Sequence, residues 1–337
     1  MKDIKDQNSI RLFRRRISFL SGAMIFFECL TNVIFVIQKL ICTIARPFLV
    51  PVGYEIFSSL TYGAAYALCF LIPALVLSLV LKEDLYPKDY RPKKNSRCAP
   101  FWVLLTLGMV YCCALVNGYI MNFFYNVFGQ PNTELFETSF NGAHSVLLEV
   151  LTMAIIPGIC EEVLFRGVFL KRLLPFGKNL AVVVSAVFFA LMHQMPMQFF
   201  YTFCAGLMLG YLYVMSGSVW WGIAVHTLNN LLSVISDVFD QYLDERSATV
   251  LTFSLYTVLA VSALISLLVI LRRKARPFRQ RESVFGRTEP VPRTEGTMKI
   301  ERRDAVRGFF TPMTIVFLCI YFLVTVVNFF SLYTVSR

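Results

Sequence analysis

Charge is what this 337-residue chain has least of: Asp, Glu, Lys and Arg make up 16% of it, against roughly a quarter of a soluble domain. Hydrophobic residues make up 57%, and the mean hydropathy is +0.63. That balance excludes an ordinary soluble domain and points to a polytopic membrane protein. Histidine is scarce too, with three copies: His144, His193 and His226. The nine cysteines never take CxxC or zinc-finger spacing, and most of them, such as Cys29, Cys69 and Cys204, lie inside apolar runs. They read as small buried hydrophobes. No Gly-x-Ser-x-Gly occurs, Ser216-Gly217-Ser218 has no histidine on a matching face, and no Gly-Asp pair falls within an apolar run. Serine and aspartyl intramembrane chemistries are thereby set aside.

A net charge of +11 raises the question of nucleic acid. The basic residues sit instead in segments between apolar runs, as cytoplasmic loops do, so no nucleic-acid partner is expected. Arg11, Arg14, Arg15 and Arg16 precede an apolar run that continues to about Ile44. A cleaved signal peptide has a shorter apolar region, so this reads as an uncleaved first span.

The predicted fold is an all-α polytopic membrane protein of about nine transmembrane helices, at about 20 apolar residues per crossing. The spans fall near 17–44, 56–81, 101–127, 141–160, 179–195, 197–215, 219–236, 249–271 and 310–334. A core of four to five helices is expected around a cytoplasm-facing polar cavity. Residues 162–174 are expected to continue the fourth helix beyond a kink at Pro157-Gly158. Four segments are basic: the N-terminus, 82–97, the Lys171/Arg172/Lys178 group and 272–307, the last with twelve Lys or Arg against five acids. Glu134, Glu137, Asp237, Asp240, Asp244 and Glu245 mark the alternate loops. The positive-inside rule then places the basic loops in the cytoplasm and the protein in the cell membrane. The implied organisation is 1–100 (basic segment and two helices), 101–271 (core, with its motif region at 141–236), 272–309 (flexible basic linker) and 310–337 (last helix). The linker offers contact with anionic membrane lipids, or is simply solvated.

The chemistry-bearing stretch is Pro157-Gly158-Ile159-Cys160-Glu161-Glu162-Val163-Leu164-Phe165-Arg166-Gly167. An ionisable group at bilayer depth costs roughly 2.5–3.5 kcal/mol on insertion scales, so three together are a functional-site hypothesis. Glu162 and Arg166 stand i,i+4 and can pair along one stripe. Glu161 points about 100° away, is harder for that arginine to reach, and suits a general base. Spacing therefore assigns Glu161 to chemistry and Glu162 to structure. Phe189 and His193 share a helix face, as do His226 and Asn230. At about 1.5 Å per residue, Glu161, His193 and His226 fall in the inner to middle bilayer and can share one cavity. Each histidine alone reads as a satisfied core residue; the set together does not. His144, near the outer end of its span, stays a core or packing residue, and Cys160 has no base on its own face.

Glu161-Glu162-x-x-x-Arg166, Phe189-x-x-x-His193 and His226-x-x-x-Asn230, in that order on successive helices, resemble the three motifs of the CPBP intramembrane proteases. That family includes the CAAX prenyl endopeptidases and the bacterial bacteriocin-processing or immunity proteins labelled Abi. The resemblance covers about 141–236 and implies an endopeptidase acting on a peptide or a prenylated or otherwise lipidated protein. It implies that Glu161 and His193 activate a water, that His226 and Asn230 stabilise the oxyanion, and that Arg166 holds Glu162. A required cofactor is not expected; zinc on Glu161, His193 and His226 is the alternative, without the HExxH spacing of zincins. Two other readings stand beside it. One is a non-catalytic membrane immunity or scaffold protein retaining the fold. The other is a transporter relaying protons through Glu161 and Glu162, against which the chain shows no pair of interrupted helices in matching halves.

Overall fold

The structure is a computed structural model that describes residues 2–80, 99–129, 140–272 and 300–334. Among these, every regular element is a helix. Ten are long enough to name: α1 (Lys2–Ala45), α2 (Pro51–Val80), α3 (Ala99–Phe128), α4 (Ala143–Phe176), α5 (Lys178–Met192), α6 (Pro196–Ser216), α7 (Val219–Tyr242), α8 (Glu245–Arg272), α9 (Arg302–Phe309) and α10 (Pro312–Thr334). The fold is all-α and polytopic. Seven of the ten, α1 to α4, α6, α8 and α10, are long and apolar enough to cross a membrane by length and composition. Helices α5 and α7 occupy the other two expected spans but stand outside that set. The first has 15 residues, and the second carries His226, Asn229, Asn230, Asp237 and Asp240.

Helix α4 lies at the centre, packed by α2, α5 and α7; α6 then bridges α5, α7 and α3, and α8 covers α3. On the far side, α1 pairs with α2, α9 and α10. The main core is aromatic: Phe165 meets Phe189 edge-on at 5.2 Å, and Phe169 meets Phe188 at 5.4 Å. Leu264 and Ile265 on α8 and Phe322 and Leu323 on α10 point outward, more than half exposed. Apolar outer faces of this kind suit helices solvated by lipid.

The expected kink at Pro157-Gly158 takes another form. Helix α4 runs through Pro157 without a break, and its turns widen to π-type on either side, at Val150–Ile155 and Val163–Leu170. The Ile156 amide donates to the Leu151 carbonyl, five residues back. A wider turn relieves the clash a proline ring makes with the carbonyl four residues earlier. The expected linker over 272–309 lies mostly outside the described residues, as do the 82–97 loop and Glu134 and Glu137. Its end is not linker: Arg302–Phe309 form helix α9, whose Gly308 closes on the Phe13 ring of α1.

Candidate active site

Helix α4 brings Glu161, Glu162 and Arg166 into the core, all buried. The Arg166 guanidinium donates to Glu162 Oε1 at 2.7 Å and to the Gly206 carbonyl of α6 at 3.2 Å, and lies over the Phe189 ring 4.6 Å from its centre. The i,i+4 pair expected from spacing is therefore present, and it ties α4 to α5 and α6. Glu162 does more than hold that arginine. His226 Nδ1 of α7 bonds the same Oε1 at 3.0 Å. A carboxylate oxygen accepts, so the ring proton sits on Nδ1 and Nε2 is left for the other side. There, His226 Nε2 stands 3.9 Å from Glu161 Oε2.

Glu161 is not left unpaired, as its direction on the helix suggested. The Tyr66 hydroxyl of α2 donates to its Oε1, and Oε2 has no hydrogen-bond partner although buried. Tyr66 is fixed by stacking on Phe70, 4.8 Å between ring centres. Nothing near Tyr66 marks it out beyond an aromatic i,i+4 ladder, Tyr62-Tyr66-Phe70, on an otherwise apolar helix.

His193 ends α5. Its Nδ1 bonds the Phe189 carbonyl one turn back at 2.9 Å, and a carbonyl only accepts. The proton is on Nδ1 here too, and Nε2 carries the free lone pair of the neutral ring. Phe189 packs edge-on against both His193 and His226, at 5.0 and 5.9 Å. The residue after His193, Gln194, takes a left-handed backbone with φ 54°, unusual for a side chain other than glycine. This stops α5 and leads to Pro196 at the start of α6.

Asn230 shares the His226 face as expected, yet its amide is occupied. Nδ2 donates to the Met153 carbonyl at 3.1 Å, and Oδ1 accepts from Asn229 Nδ2 at 3.2 Å. In an α-helix the Met153 carbonyl would receive the N–H of residue 157, which is proline and has none. Asn230 thus fills the vacancy that Pro157 leaves, and one amide hydrogen remains. Asn229 in turn accepts from the Tyr201 hydroxyl at 2.8 Å. Sequence reasoning named neither Tyr201 nor Asn229.

These side chains face a partly open cavity of about 80 Å³ lined by Glu161, Phe189, His193, Tyr201, His226 and Asn230, among others. A water takes up about 30 Å³ in the liquid, so a few fit. Among the described residues, no group of three His, Cys, Asp or Glu side chains is close enough to hold a metal ion, and that includes Glu161, His193 and His226. His144 lies elsewhere, against Glu55 at 3.4 Å beside Ser145 and Asn141. Cys160 is buried in the main hydrophobic cluster.

With these positions established, comparison with known proteins is informative. Residues 143–232 match the family model described as type II CAAX prenyl endopeptidase Rce1-like. That match, over 90 of the 337 residues, supports a CPBP-type intramembrane protease. Compared with curated proteins and with solved structures, the chain finds no match. The matched segment holds all seven motif residues, from Glu161 to Asn230. Tyr66, which touches Glu161, lies outside it.

Proposed function

We propose that this protein is an intramembrane endopeptidase in which Glu161 and His193 activate a water against a peptide carbonyl. The observation that carries the reading is the lining of one small cavity by Glu161, His193, His226 and Asn230, drawn from three helices. Two acceptors face it, Glu161 Oε2 and His193 Nε2. A water held by both loses a proton to one of them as its oxygen adds to the carbonyl carbon. The negative charge then forms on the carbonyl oxygen. A donor at His226 Nε2 requires the imidazolium, because Nδ1 already carries a proton toward Glu162. The spare Asn230 amide hydrogen is a second donor. Collapse of the tetrahedral intermediate breaks the C–N bond, and the amine leaves with the proton taken from water.

Tyr66 belongs to the same machinery as the group that fixes Oε1 and leaves Oε2 to the water. The family description supports a prenylated C-terminal peptide as substrate, with a plain membrane-associated peptide as the other form. The basic loops are assigned to the cytoplasm and the cavity to that face of the cell membrane, on the charge pattern. Residues 101–271 form the protease core in this reading, with α1, α2 and α10 around it.

Purified protein in detergent micelles, given an internally quenched peptide ending in a farnesylated CAAX sequence and its unprenylated counterpart, tests the proposal. Glu161→Gln keeps the shape and removes the base, so cleavage falls by about 10³-fold, within the range for a positioned acid–base group. Cleavage that survives Glu161→Gln overturns it. So does an effect in cells that Glu161→Gln leaves untouched, the signature of a scaffold that kept the fold.

A further inference from the structure

Glu28 is a carboxylate in the apolar stretch of α1, about 130 residues before Glu161 in the chain and far outside the segment that matches the family model. Charged groups at such depth are rare and have a partner or a task. Glu28 Oε2 accepts the side-chain amide of Gln194, and Oε1 accepts Asn32 Nδ2 at 3.2 Å. The Tyr321 hydroxyl of α10 reaches the Met24 carbonyl one turn earlier at 3.3 Å. Ser21 on α1 bonds Thr314 on α10 at 3.0 Å. Helix α10 therefore sets the position of α1, and α1 presents Glu28 to Gln194.

Gln194 is the one non-glycine residue with positive φ among those described, and it directly follows His193. A left-handed residue of this kind persists where surrounding contacts over-determine it, and such residues cluster at functional sites. Here the turn is tight: the His193 amide donates to the Ala190 carbonyl at 3.2 Å and the Gln194 amide to Leu191 at 3.1 Å. Releasing Gln194 lets that turn relax and carries the imidazole off the Phe189 carbonyl. We infer that Glu28 is a positioning residue for His193, acting through Gln194, and that α1 and α10 serve as its buttress. The inference rests on the endopeptidase reading for its catalytic consequence, though not for the anchor itself.

Two substitutions separate this from a merely structural contact. Glu28→Leu removes the acceptor and also removes a charge from the apolar helix, so it does not threaten insertion. Glu28→Gln keeps an acceptor oxygen. In Glu28→Leu, hydrogen exchange at the amides of His193, Gln194 and Met195 speeds up at least tenfold. On the farnesylated peptide kcat falls about tenfold to a hundredfold, the scale of a misplaced catalytic group, with KM within twofold. Glu28→Gln stays close to wild type in both measurements. Unchanged exchange in Glu28→Leu, or equal damage from Glu28→Gln, overturns the inference. If the wild-type protein cuts neither peptide, or Glu161→Gln cuts as well as it does, the endopeptidase reading falls, and exchange still decides whether Glu28 holds the turn.

Discussion

Gly158 is a point of close approach between α4 and α7, and a single methyl group there tests how the site is held. A Cβ on Gly158 would stand 2.2 Å from Thr227 Oγ1, 3.0 Å from the Thr227 amide nitrogen and 3.1 Å from its Cα. The hydroxyl can rotate away, but the backbone atoms move only with the helix. Ordinary contact is 3.4–4 Å, so α7 must retreat by about 0.5 Å at Thr227. Thr227 is flanked by His226, and Asn230 follows one turn later. Overpacking of this kind costs about 1–3 kcal/mol. A displacement of about 1 Å costs up to 10²-fold in rate, so half of that costs about tenfold. Gly158→Ala is therefore expected to lower the melting temperature by a few degrees and kcat about tenfold, read by thermal unfolding and quenched-peptide cleavage on the same preparation. Adding Thr227→Ala removes the hydroxyl clash and leaves the backbone one, so recovery is partial. Wild-type stability and rate in Gly158→Ala would refute the close approach on which the placement of His226 depends.

Three further outcomes follow from the same contacts. Arg166→Ala strands buried Glu162 and costs about 3–5 kcal/mol in thermal unfolding, whereas Arg166→Met with Glu162→Leu recovers most of that stability and stays inactive, because His226 Nδ1 loses its acceptor. Tyr66→Phe removes only the donor to Glu161, so kcat drops about tenfold at constant KM, and the loss disappears in a Glu161→Gln background; additive losses would argue for packing alone. At the turn before α8, the Asp244 carboxylate accepts the Ser247 amide at 3.0 Å, and the Ser247 side chain together with that amide holds its carboxyl below the ordinary value. The carboxylate is the form that caps, so its contribution is complete above the unfolded titration near 3.9 and fades as pH falls through the lower folded value. Protection of the amides at 245–248, relative to intrinsic exchange at each pH, should fall in acid in the wild type and be low at neutral pH in Asp244→Ala.

What could be read from the chain alone was whatever a single helix decides. Glu162 with Arg166, and Phe189 with His193, are one turn apart, and helical geometry brings each pair together whatever the rest of the fold does. Contacts made across the bundle were not legible. Tyr66 and Glu161 are 95 positions apart, and Glu28 and Gln194 are 166 apart; an apolar helix carries no mark of which neighbour it will meet. Pro157 lies between the two kinds. Its missing N–H was apparent from the residue type, but the group that answers it, the Asn230 amide, belongs to another helix. The widened turn at Val163–Leu170 escaped for a related reason, since no residue in it demands one, whereas the turn at Val150–Ile155 accommodates Pro157. Helix α9 was hidden by its charge: Arg302, Arg303 and Arg307 read as linker, while Gly308 closes on Phe13 of α1 and Phe309 meets Phe188 of α5 at 6.1 Å.

The groups of the proposed site are spread along the chain, from Tyr66 on α2, which bonds Glu161, to Asn230 on α7. During synthesis, Glu161 reaches the bilayer well before His226 has left the ribosome. In the proposed reading, the site is therefore completed only when α7 docks on α4.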